Sequence, residues 1–189
     1  MIDTKSCVIL VDNSNVFIEG GKNSARLKGV TKASPPDRDP MDPSWRVDFG
    51  ALIKEVSEGM KVEKAMLVGS TPPKSDSIWE SARYHGFEVI THERGFSGKE
   101  KAVDTEIVAQ GTEIVCTLKE GVLKLLSGDR DFVPLITIAN KRNWETEMWA
   151  FSSAFTAHGE MAQSVTRVKP LDHIFQRIGR YEFEWPIKN

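Results

Sequence analysis

The chain has 189 residues, 40% of them hydrophobic, and a formal net charge of -2. That is enough to bury one substantial core, and it gives no global positive charge that would by itself attract a polyanion. No apolar run approaches the length needed to cross a bilayer, and the opening "MIDTKSCVILVD" is too short in apolar residues for a secretory signal, so a soluble cytoplasmic protein is expected.

In chain order, "CVILV" (7–11) reads as a strand buried on both faces, and it ends abruptly in Asp12, Asn13, Ser14 and Asn15. Residues 20–46 follow, dense in Gly, Pro, Ser and Asp and without sustained periodicity, which predicts a long loop. Beyond it, helical periods at 49–58, 75–85, 103–118 and 131–141 alternate with strand-like runs at 64–69, 87–91, 122–128 and 146–151. "LDHIFQRI" (171–178) reads as a last helix, and "YEFEWPI" (181–187) as an edge strand or an arm. This alternation predicts a parallel sheet with helices on both faces, and right-handed crossovers bring every strand exit to one edge.

Three acidic motifs fall on that edge: "VDNSN" (11–15), "KEKAVDTEI" (99–107) and "LSGDRDF" (126–132). Each has a bland reading, because aspartate at a helix start caps free N–H groups or complements the helix dipole. Together, however, Asp12, Asp104, Asp129 and Asp131 crowd four carboxylates from three segments. Such crowding is relieved by a hard cation with oxygen ligands, Mg²⁺ or Mn²⁺. Cys7 and Cys116 have neither zinc-site nor disulfide spacing and read as core thiols in a reducing compartment. The four histidines are too scattered to share a metal.

The motifs "ILVDNSNVF", "GKEKAVDTEI" and "LLSGDRDFVPLI", in this order, resemble the NYN domain family of PIN-like ribonucleases. The resemblance implies a three-layer α/β/α PIN-like fold with a mostly parallel sheet. It also implies a nuclease domain over 1–151, with 152–189 forming a C-terminal helix and arm packed on it. By the same resemblance Asp12, Asp104, Asp129 and Asp131 are the metal ligands, with Asp12 central because its strand lies mid-sheet. The implied chemistry is metal-assisted hydrolysis of RNA phosphodiester bonds, the RNA being single-stranded. Asn15 would orient a water or phosphate oxygen, Lys101 and Lys99 would offset negative charge, and Ser127 matches the polar residue that opens the last motif. Arg130 departs from the family's small polar residue and either faces solvent or reaches a phosphate.

Several rivals fail on single residues. Haloacid-dehalogenase-type phosphatases need an acid where Ser14 stands, Toprim nucleases want a glutamate at the place of Asp12, and no glycine-rich phosphate loop with a following lysine occurs. The surviving alternative is a PIN-like domain that binds RNA or protein over a weak or idle acidic site. Lys22, Arg26, Lys28 and Lys32 form a basic run that either solvates the long loop or guides an RNA strand. Trp45, Trp79 and Trp185 are either packing residues or surfaces for bases or a homodimer partner.

Overall fold

A computed structural model describes residues 5–31, 38–71, 77–93 and 101–186, with only the backbone at Lys101. Lys32 and Lys99 lie outside the described residues, as does the Lys101 side chain. The element order is β1 (Ser6–Asp12), α1 (Asn13–Leu27), β2 (Trp45–Val47), α2 (Phe49–Ser57), β3 (Lys61–Thr71), α3 (Ser77–Tyr84), β4 (Glu88–Glu93) and α4 (Lys101–Thr117). It continues through β5 (Val122–Leu126), a 3₁₀ turn (Arg130–Phe132), α5 (Val133–Lys141), β6 (Glu145–Ala150), α6 (Glu160–Ser164) and β7 (Arg167–Pro170). A second 3₁₀ turn (Leu171–Ile174), α7 (Phe175–Ile178) and β8 (Gly179–Tyr181) complete it.

Six strands form one sheet in the order β4-β3-β1-β5-β6-β7, and every pairing is parallel. Alternation along β1 divides the core. Cys7, Ile9 and Val11 face a layer built from α1, α2, α3 and α7, while Val8 and Leu10 face α4, α5 and α6. Both layers are closed, so β1 is apolar on each side until Asp12. The strand order reverses between β1 and β5, since the chain builds outward through β3 and β4 before returning to lay β5 on the other side. Such a reversal opens a crevice at the C-terminal ends of the two strands. The mid-sheet position expected for Asp12 is thus shared with the strand that leads into Ser127.

The long loop is shorter than its composition predicts. Residues 20–27 continue α1 despite Gly20, Gly21, Asn23 and Ser24, all poor helix formers. Tertiary packing requires at least the first of these: a Cβ on Gly20 would lie 2.2 Å from the Trp45 ring. Trp45 is fully buried, stacks on Phe175 with ring centres 5.7 Å apart, and meets Phe151 edge-on. Trp45 and Trp79 are therefore core residues. The loop is tied back by Asp42, itself buried, which accepts from Ser24 Oγ (2.6 Å), Ser44 N–H (2.8 Å) and Ser44 Oγ (2.6 Å) and pairs with Lys28 at 2.7 Å.

At the C-terminus, β7 adds a strand to the main sheet, and β8 pairs antiparallel with β2 as a separate ribbon. One β5 residue departs from its apolar setting: Lys124 is fully buried, 2.8 Å from Glu58 and 3.0 Å from the equally buried Glu147. Burial raises the pKa of the Cys7 thiol. Cys116 is exposed, which corrects its reading as a core thiol, because its helix turns that position to solvent.

Candidate active site at the strand exits

Asp12 closes β1 as the N-cap of α1, in extended conformation, with its Oδ1 accepting from the Asn15 N–H at 3.2 Å. The same oxygen accepts from Ser14 Oγ at 2.8 Å. The other carboxylate oxygen, Oδ2, accepts from Ser127 Oγ at 3.3 Å, across the strand reversal. Ser127 Oγ in turn accepts from the Asp129 N–H at 3.3 Å, so a short relay joins the "SGD" turn to the end of β1. Asp12 is only 5% exposed. A charge this buried needs such donors, and a carboxylate with about four acceptor positions can hold several.

The turn after β5 has its own requirements. Gly128 is obligatory on steric grounds, since a Cβ there would lie 2.6 Å from the Ala154 carbonyl oxygen. Asp129 caps the 3₁₀ turn, accepting from the Asp131 N–H at 2.9 Å. The capping roles that a helix start offers are thus realised at Asp12 and Asp129. Asp104 lies in the first turn of α4. It lines one open cleft together with Asp131, Arg130, Thr105, Pro134 and Glu160.

Glu160 escaped the sequence reading. It follows Gly159 at the start of α6, after β6, and so reaches the same sheet edge by the same topology; an acid opening a short helix was its only sequence signal. Ser14 had served only to exclude a phosphatase, yet it bonds Asp12. Among the described residues, no group of three or more His, Cys, Asp or Glu is gathered closely enough to hold a metal ion. The donor chemistry still suits Mg²⁺, which commonly takes one or two carboxylates and completes its shell with water and substrate phosphate.

The basic run after β1 is largely committed within the chain. Lys22 pairs with Glu19 at 2.8 Å and with Asp39 at 3.3 Å, Arg26 bonds Asn23 and lies 3.7 Å from Asp172, and Lys28 pairs with Asp42. Arg130 is exposed at the cleft.

The NYN domain family model matches residues 6–171. The chain belongs to the NYN domain family. A PIN-like nuclease family is thereby shown, and the parallel sheet with helices on both faces fits it. A crystal structure of a protein of unknown function from Vibrio parahaemolyticus is similar to this NYN domain, with a TM-score of 0.66 at 19% identity, covering 91% of this chain and 96% of that one. At such identity the likeness shows the fold alone. No curated protein matches this NYN chain. Among the described residues, no helix is long and apolar enough to cross a membrane.

Proposed function

We propose that this NYN domain is a divalent-metal-dependent ribonuclease acting on single-stranded RNA, with Asp12, Asp104, Asp129 and Asp131 as the acidic set. The observation that carries the reading is the position of Asp12. It is a buried carboxylate at the reversal of strand order, bonded to the turn that carries Asp129 and Asp131, in a chain of nuclease family. A bound Mg²⁺ or Mn²⁺ supplies an activated water and neutralises charge at the scissile phosphate. Asp12 holds its orientation through Ser14 and Ser127, and Asp104 and Asp131 face the substrate across the open cleft. Asn15 orients a water or phosphate oxygen. Lys101 and Lys99 offset developing charge, and Arg130 takes a phosphate at the cleft rim. The internal pairing of Lys22, Arg26 and Lys28 leaves these three a secondary part in guiding RNA. Residues 152–189 are one domain with the rest, and the free Cys7 and exposed Cys116 suit the reducing cytoplasm.

The test is cleavage of labelled single-stranded RNA by the purified chain with Mg²⁺ or Mn²⁺. Cleavage is expected with metal, lost on adding a chelator, and lost in Asp12→Asn and Asp129→Asn. A second reading, an RNA- or protein-binding domain with an idle site, is favoured by one observation: Asp12 and Asp129 already serve as caps, and among the described residues no three-carboxylate group is gathered. RNA binding without metal-dependent cleavage would support it.

A further inference from the structure

Ser14, whose hydroxyl donates to Asp12 Oδ1, also lines a cavity of about 360 Å³. Phe17, Ile18 and Ile78 give it apolar walls, and Arg46 and Arg180 stand on the ribbon side. We propose that this cavity binds one unpaired nucleotide of the RNA strand, its base against Phe17 and Ile78 and its phosphate on Arg46 and Arg180. The proposal rests on the nuclease reading above and names how that site seats its substrate. Because Ser14 belongs to both places, a strand held here directs its neighbouring phosphodiester toward Asp12.

The electrostatics of the ribbon point to an anion. β2 and β8 are antiparallel, with Arg46 directly opposite Arg180. Like charges at opposed positions destabilise a pair of strands, and a two-stranded ribbon has little stability to spare. Arg46 is partly neutralised and fixed in place. Its Nη1 donates to the Pro43 and Trp45 carbonyls at 2.8 Å, its Nη2 pairs with Glu182 at 2.9 Å, and its guanidinium lies 5.7 Å from the centre of the Phe17 ring. Arg180 is exposed, and no acid among the described residues pairs with it. One guanidinium is thus held rigid and its neighbour is left with charge unspent, a combination suited to a phosphate, which guanidinium groups bind in bidentate fashion.

Size and wall chemistry narrow the ligand. A volume near the low end of the roughly 300–1,000 Å³ typical of small-molecule sites admits one nucleotide and excludes a folded element. A half-buried phenyl ring beside a positive rim is also how single-stranded nucleic acid is commonly held, by base stacking combined with phosphate contacts.

The experiment titrates the full chain with adenosine 5′-monophosphate and uridine 5′-monophosphate, and separately with adenosine and with inorganic phosphate. Chelator is present throughout, and binding is followed through the tryptophan indole resonances. Mononucleotides should bind about tenfold or more tighter than either part alone, because base and phosphate are held together. Arg180→Ala should weaken the mononucleotides about fivefold or more and leave adenosine unchanged, with Arg180→Lys recovering part of the loss. Ser81→Leu, which narrows the cavity, should block adenosine as well. With RNA and metal, Arg180→Ala should raise KM and keep kcat. No mononucleotide binding, or binding indifferent to both Arg180→Ala and Ser81→Leu, overturns the proposal even if RNA is cleaved. Mononucleotide binding with these sensitivities in a chain that cleaves no RNA upholds the cavity and overturns the nuclease reading instead.

Discussion

Ser127 and Asp12 lie 115 residues apart in sequence and meet across 3.3 Å, the serine hydroxyl donating to the aspartate Oδ2 at the reversal of strand order. One hydroxyl thereby couples the two central strand exits, and through the Asp129 N–H it also couples the acidic turn. Ser127 is fully buried, so no water can replace it in that role without a rearrangement.

Ser127→Ala should leave Asp12 in place through Ser14 and Asn15, but free to rotate and with one donor fewer. A loss of about 1 kcal/mol in stability is expected, the ordinary net value of a hydrogen bond. If Asp12 is the working carboxylate, kcat on RNA falls while KM changes little; a raised KM with kcat unchanged would assign the hydroxyl to substrate binding instead. Denaturant unfolding and steady-state kinetics on one preparation measure both effects.

Millimolar Mg²⁺ or Mn²⁺ should raise the melting temperature of the wild type, because a ligand that binds only the folded state stabilises it. Asp104→Asn combined with Asp131→Asn should abolish that rise. A scanning calorimetry series with and without chelator decides it, and an unaltered metal response in the variant would remove these two residues from the acidic set.

Stability should fall in acid, and the long loop should be among the first regions to respond. Burial pushes the Asp42 carboxyl up, but hydrogen bonds from Lys28, Ser24 and Ser44 outweigh it and hold the pKa below the ordinary aspartate value. Glu58 is likewise pushed up by desolvation and brought lower by its bonds from Lys124 and Lys169. Both groups have folded pKa values below their unfolded ones, so their stabilisation is complete above the unfolded range near pH 4 and is lost as pH falls through the folded values beneath it. Melting temperature should therefore be level from neutrality to about pH 5 and drop below pH 4, and Asp42→Asn should melt lower at pH 7 with a shallower acid slope.

Gly20→Ala tests the fit between α1 and the buried indole. Alanine is the better helix former and would gain about 1 kcal/mol on an open helix. Here its methyl meets Trp45 at 2.2 Å, and overpacking of this kind costs about 1–3 kcal/mol. Net destabilisation by denaturant unfolding is expected, and Gly20→Ala combined with Trp45→Phe should recover part of it, because the smaller ring frees the space.

The layered fold was legible because the central strands are predominantly apolar runs and each exit carries a polar cluster; "CVILVD" and "VLKLLSGD" alone define the crevice. What escaped depended on contacts distant in sequence. Gly20 and Gly21 read as loop because the ring that requires Gly20 lies 25 residues on. The short β2 and β8 carry no periodicity, and each is a strand only by virtue of the other. Lys124 interrupts an otherwise apolar strand, and its partners are acids at positions 58 and 147 that no local pattern could bring to it. The same holds for most of the basic run: Arg26 and Lys28 meet Asp172 and Asp42, which come later in the chain, whereas Lys22 meets both the local Glu19 and the later Asp39. The capping reading of the aspartates was legible from their positions at helix starts, and backbone geometry assigns it to Asp12 and Asp129.

The pairing of β2 with β8 joins residues 45–47 to residues 179–181, which sets an order of events during synthesis. A ribosome delivers the chain from its N-terminus, so all six strands of the main sheet have emerged before Gly179 does. The acidic crevice can then be assembled on a nascent chain whose nucleotide-sized cavity still lacks the wall that bears Arg180. That cavity closes only once residues 179–181 have emerged and paired with residues 45–47.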